Sequence, residues 1–135
     1  MSTLHIFRGL PGSGKSTAAR KLAEETGAIL IEPDALLVEN GGYVYTLELY
    51  ATATKVAKRI VTEVAVWGAD MIYADVLPRR ADVRGVIDWA VNFERNYRIV
   101  VHDLKITPEE SKLRNRHNVR PEDIDRMARE WEDWE

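Results

Sequence analysis

Gly9-Leu10-Pro11-Gly12-Ser13-Gly14-Lys15-Ser16, followed by Thr17, fits the pattern G-x-x-x-x-G-K-[ST]. It lies between a β-rich apolar run, Thr3 to Phe7, and a helical run, Ser16 to Glu25, which is the setting this pattern needs. Its glycines let backbone N–H groups approach phosphate oxygens with no Cβ in the way. The helix that follows points the positive end of its dipole at the same oxygens. Lys15 would reach the β- and γ-phosphates, and the Ser16 hydroxyl would coordinate Mg²⁺. The residues expected to cradle a nucleotide tail are therefore Gly9, Pro11, Gly12, Ser13, Gly14, Lys15, Ser16 and Thr17.

The rest of the chain alternates strand and helix. Gly27 ends the first helix, whose small-residue face is Ala18, Ala19, Leu22 and Ala23. Ala28 to Ile31 reads as a second strand, closed by Pro33. Asn40-Gly41-Gly42 is a turn signal. From Thr46 to Trp67 apolar residues recur at steps of three and four, at Leu49, Ala53, Val56, Ile60, Val64 and Trp67, which predicts a long helix closed by Gly68. Met71 to Ala74 is a third strand, Asp82 to Asn92 a helix, and Tyr97 to Leu104 a fourth strand. Two short helices follow, Pro108 to Asn115 and Pro121 to Trp134, with Trp131 and Trp134 expected to pack on the core from the second. This order predicts an α/β P-loop NTPase fold: a small parallel sheet of about four strands, helices on both faces, and a C-terminal lid that carries arginines. At 135 residues, with no linker or repeat, residues 1–135 are expected to form one domain.

In such sheets ligands bind beyond the carboxyl ends of the strands, and three strands here end in chemically loaded positions: the glycine loop, Asp34 and Asp75. Asp34 could accept the proton of an attacking hydroxyl, or cap a short helix through Ala35 to Val38. Asp75 suits Mg²⁺ support, or a turn before Pro78. Residues 105–120 carry five basic and two acidic side chains, while residues 121–135 carry two basic and seven acidic ones. Within the first segment Arg114 and Arg116 are best placed to stabilise charge on a moving phosphoryl group. Each of them also suits an ordinary solvated helix face. Arg79, Arg80 and Arg84 follow Asp75 without a readable direction.

Composition removes several alternatives. Nineteen basic against twenty-two acidic side chains leave a net charge of −3, so there is no chain-wide field for nucleic acid. Without cysteine there are no disulfides, thiolate metal sites or thiol nucleophile. His5, His102 and His117 lack metal-ligand spacing; His5 and His102 lie within strands, and His117 suits an exposed loop or a phosphate contact. No apolar run approaches the roughly 18–20 residues that cross a bilayer, and the N-terminus lacks a signal-peptide pattern, so a cytoplasmic location without membrane contact is expected.

The succession GLPGSGKST, IEPD, a long helix, IYADVLPRR and RNRHNVRPEDIDRM resembles the P-loop kinases of the phage polynucleotide kinase type along essentially the whole chain. The resemblance implies ATP as donor with Mg²⁺, and a nucleic-acid 5′-hydroxyl as acceptor. It implies Lys15 and Ser16 at the phosphates and metal, Asp34 as general base, Asp75 in the support network, and Arg114 or Arg116 as lid arginine. Two positions depart from the pattern. Leu37 stands where those kinases place an arginine that grips a substrate phosphate, and Val76-Leu77 replaces a Thr-Asn pair. Both departures remove polar acceptor contacts and leave the ATP side intact. Kinases of a nucleoside, nucleotide, hydroxymethylated DNA base or other small metabolite therefore stand as alternatives, followed by an ATPase or nucleotide-binding module without an acceptor.

Overall fold

A computed structural model describes residues 1–39, 42–43, 46–91, 96–116 and 119–135. The described elements are β1 (Thr3–Arg8), α1 (Lys15–Thr26), β2 (Ile29–Ile31), a 3₁₀ turn (Pro33–Leu37), β3 (Val38–Glu39) and β4 (Gly42–Tyr43). After these come α2 (Leu47–Trp67), β5 (Met71–Asp75), α3 (Arg80–Val91), β6 (Arg98–Asp103), α4 (Pro108–Arg114) and α5 (Pro121–Glu130). Four strands form one sheet in the order β2-β5-β1-β6. All its pairings are parallel, with Arg8 at the end of β1 in register with Asp75 at the end of β5.

Both sheet faces are covered, and the strands show it by alternation. Leu4 and Ile6 of β1, with Met71 and Tyr73 of β5, join a core built against α2 and α3. Phe7, Ile72 and Ala74 join the other core, against Ala19 and Leu22 of α1. Right-handed connections require this split. The step from β1 to β2 runs one way across the sheet, whereas the steps through α2 and α3 run back, so α1 lies on the opposite face. The expected α/β P-loop architecture with helices on both faces is therefore the observed one. Among the described residues no helix is long and apolar enough to cross a membrane.

Several boundaries and faces differ from expectation. The long helix closes at Gly68 as expected, but its buried seam is Ala53, Ala57, Val61 and Ala65. Leu49, Val56 and Trp67 lie on the exposed side. Small side chains let α2 approach the sheet closely, while bulkier Ile60 and Val64 flank the seam. Asp34 does not precede a helix as a cap: it sits inside the 3₁₀ turn that starts at Pro33. A two-stranded antiparallel ribbon, β3 with β4, was not anticipated; of the turn it flanks, Asn40 and Gly41 lie outside the described residues, as do Asn92 and His117. The last helix ends at Glu130, not at Trp134. The two indoles still pack, Trp131 under the Arg8 guanidinium and Trp134 on the core, but from a non-helical tail.

Candidate active site

The loop after β1 turns tightly, with the Ser13 amide donating to the Leu10 carbonyl at 3.1 Å, and releases the chain into α1 at Lys15. Gly12 (φ 77°) and Gly14 (φ 89°) occupy left-handed backbone that other residues adopt at a cost. An added Cβ at Gly14 would meet nothing within 4 Å, so the space before the helix is open. At Gly12 the same Cβ would fall 2.7 Å from Arg114 Cβ, because α4 is fastened there. The fastening is Ser111, fully buried, whose hydroxyl donates to the Pro11 carbonyl at 2.6 Å. Gly14 caps α1 without a side-chain hydrogen bond, which leaves the helix's first amides to a ligand. Ser13 Oγ is buried and without a partner among the described residues. The loop thus fits an anionic phosphate tail: an open concavity and uncapped amides.

A cleft of about 970 Å³ opens on this loop. Pro11, Gly12, Gly14, Lys15, Ser16 and Thr17 line it, as do Asp34, Asp75, Arg114 and Arg116. Gly9 and Ser13 do not line it. Gly9 instead packs where a Cβ would strike Ser13 and the Leu104 carbonyl. The structure therefore gathers most of the predicted residues around one space.

Lys15 is only 7% exposed. Burial pulls its pKa down, and the carboxylates of Asp34, Asp75 and Glu32 push it back up. Asp75 is buried, and that burial, with Asp34 nearby, raises its pKa to about 6. Opposing this rise are the Tyr50 hydroxyl, which donates to Asp75 Oδ2 at 2.6 Å, the Val76 amide, which donates to Oδ1 at 2.8 Å, and the charge of Lys15. One ammonium thus faces three acidic side chains, an arrangement suited to binding a charged ligand. Glu32 is steadied by Arg20 at 3.3 Å, and its second oxygen has no partner among the described residues. No group of three or more His, Asp or Glu among the described residues is arranged to hold a metal. A cation here would rest on Ser16, Asp75 and phosphate oxygens.

The basic residues divide by partner. Arg79 pairs with Glu130 at 3.3 Å, and Arg80 donates to the Asp133 carbonyl at 2.8 Å, so Arg79 holds the end of α5, Arg80 holds the tail beyond it, and neither lines the cleft. Lys112 pairs with Asp125 at 2.8 Å and Arg120 with Asp123 at 3.1 Å. Arg114, Arg116 and Arg126 line the cleft; Arg114 stands 3.7 Å from Glu110 and Arg126 3.5 Å from Asp123. Sequence reasoning missed Arg126, Tyr50, Glu32, Ser111 and Arg8. Only Arg126 carried a signal, as a cation within an acidic segment. The others act through contacts across long sequence separations.

A family model described as "AAA domain" matches residues 4–135. Among solved structures, a chain of the Pnkp1/Rnl/Hen1 RNA repair complex is similar over 96% of this chain, with a TM-score of 0.75 and 18% identity. This chain covers 43% of that one, less than half its length. A sugar kinase from Janibacter sp. HTCC2649 is similar over 100% of this chain and 80% of its own, with a TM-score of 0.70 and 21% identity. A gluconokinase from Sinorhizobium meliloti 1021 is similar over 98% of this chain and 75% of its own, with a TM-score of 0.66 and 17% identity. At these identities the likeness is one of fold.

Proposed function

The chain belongs to the AAA domain family, and from that premise we propose that it is a P-loop kinase that moves the γ-phosphate of ATP to a hydroxyl. The observation that carries the reading is Lys15, buried beside an open glycine loop and facing Asp34 and Asp75. In this reading the loop amides and Lys15 hold the phosphates, and Asp34 accepts the acceptor's proton. Ser16 and Asp75 would hold Mg²⁺, which when bound offsets charge on the phosphate oxygens. Tyr50 fixes the carboxylate of Asp75. Arg114, seated on the loop through Gly12, and Arg116 stabilise charge on the phosphoryl group as it moves. The acceptor oxygen attacks the γ-phosphorus, the bond to the β–γ bridging oxygen breaks, and ADP leaves.

The resemblance to polynucleotide kinases offers a nucleic-acid 5′-hydroxyl as acceptor. Leu37 favours a smaller one, because it is 4% exposed and packs inward where a phosphate-gripping arginine would be needed. A nucleotide switch is less well supported: the letters D-x-x-G occur at Asp82 to Gly85, inside α3.

The test is transfer of labelled γ-phosphate alongside calorimetric ATP binding. Lys15→Ala should lower transfer by at least about a hundredfold and weaken ATP binding. Asp34→Asn should lower transfer by about 10²–10⁴-fold while ATP affinity holds. Equal loss of ATP binding in Asp34→Asn would make Asp34 structural.

A further inference from the structure

The cleft has a half that phosphate chemistry leaves unused. α3 turns Asp82, Gly85, Val86 and Trp89 toward it, the i, i+3, i+4 and i+7 stripe of one helix face, opposite Tyr50 and Thr54 of α2.

Gly85 lies in the interior of α3, where glycine is destabilising relative to alanine. A Cβ there would meet nothing within 4 Å, so packing among the described residues does not require glycine. What its absence of side chain preserves is room in the cleft. A second, independent observation comes from the floor. Tyr73 shares a β5 face with Asp75, borders the cleft, and is fully buried with a hydroxyl that has no partner among the described residues. A buried hydroxyl without a partner calls for a ligand to supply one. Trp89 stands edge-on to Tyr73 with ring centroids 6.0 Å apart and offers an aromatic wall.

Charge narrows the ligand. The basic residues lining the cleft belong to α1 or to the segment from α4 to α5, and Arg20 among them is turned to Glu32. The α2–α3 wall contributes Asp82 and no basic side chain, and Asp34 and Asp75 line the same cleft. A phosphate-bearing acceptor would meet acidic groups there.

We propose that the recess between α2 and α3 is the acceptor subsite and takes an uncharged sugar ring, free or within a nucleoside, with its apolar face on Trp89 and a hydroxyl on Tyr73. The proposal rests on the kinase reading above. The phosphorylated hydroxyl gives its proton to Asp34 as its oxygen bonds to the γ-phosphorus of ATP and ADP departs.

The experiment follows γ-phosphate transfer from ATP to ribose, glucose, adenosine, cytidine and a 5′-hydroxyl thymidine hexamer. Label should enter a sugar or a nucleoside, and the two arms separate those sources. With the labelled compound, Gly85→Leu should raise the acceptor KM more than about tenfold by filling the recess. Its ATP affinity should not change and its melting temperature should not fall, since leucine favours helix. Tyr73→Phe should raise the acceptor KM by about tenfold, again without loss of stability. Label in the hexamer alone, or an unchanged acceptor KM in Gly85→Leu, would overturn the subsite and leave phosphotransfer standing. Label in no acceptor with ATP bound would overturn the kinase reading and this proposal together.

Discussion

Arg8 shows how one side chain can set a geometry that sequence patterns do not reveal. It is fully buried at the end of β1, where a charge is expensive unless every donor is engaged. Its Nε and Nη2 donate to the Leu77 carbonyl at 3.0 and 2.8 Å, and Nη2 also reaches the carbonyls of Pro78 at 3.1 Å and Glu132 at 2.8 Å. Nη1 meets Asp103 at 3.2 Å, and the guanidinium lies 4.1 Å over the Trp131 ring. The same bonds hold Leu77 in left-handed backbone, φ 48°, a conformation sparsely populated for leucine. Arg8→Ala would leave three carbonyls and Asp103 without these donors, so the expected loss is about 3–5 kcal/mol by urea unfolding. Arg8→Lys should recover little, since an ammonium lacks the planar fork. An unfolding free energy within about 1 kcal/mol of wild type would show that the contacts are incidental. At this scale the glycine loop was legible because its chemistry dictates residue types at fixed spacing. Arg8 was not, because its partners lie about 70 to 124 positions away.

Elements were legible where side-chain size and hydropathy agree. α3 was: its apolar residues at steps of three and four, Val83, Val86, Ile87 and Ala90, lie on the core side, with Ile87 partly buried. On α2 the two disagree, since alanine carries little hydropathic weight yet permits the closest approach, and the pattern chose Val56 over Ala57. Strand pairing also hides a titrating contact between β1 and β6. His5 Nδ1 and His102 Nε2 stand 3.0 Å apart, and His102 stacks on Phe7 with centroids 4.2 Å apart. Burial lowers the pKa of His5, opposed by Asp70 and reinforced by Arg98, and burial with His5 lowers that of His102. The unfolded chain therefore binds more protons than the native one between the lowered values and the unperturbed 6.5. Stability from this pair should be complete above about pH 6.5 and fall as pH drops through that window. Asp75, raised from 3.8 to about 6, slopes the other way between those values. The informative quantity is thus the difference between wild type and His102→Gln in urea midpoints from pH 7.5 to 5. The variant should lose less stability on acidification, and parallel curves would show that the pair does not couple to folding.

For the whole molecule, the alternation of strands and helices already implied a site at the carboxyl edge of the sheet. The charge reversal near the C-terminus implied a lid but not its construction. Much of that reversal is internal pairing: Lys112 with Asp125, Arg120 with Asp123 and Lys105 with Asp133. The segment from α4 to the tail is fastened on both sides of the cleft. Ser111 and Arg114 hold it to the glycine loop, while Glu132 holds it to Arg8 and, through its amide, to the Pro78 carbonyl at 2.7 Å. An arch tied at both ends positions its arginines without burying them, which suits groups that must engage a ligand and then release it. The tail is then part of the site's geometry although it lines none of it. Removing residues 131–135 deletes both indoles and one carbonyl partner of Arg8, for an expected loss of about 3–5 kcal/mol. Its effect on ligand binding separates two roles. If the tail tensions the arch, the truncated protein should bind ATP with Mg²⁺ more weakly by calorimetry at a temperature where circular dichroism shows it folded. If the tail only stabilises the core, affinity there should match the intact chain, and the arch owes its position to contacts other than the tail.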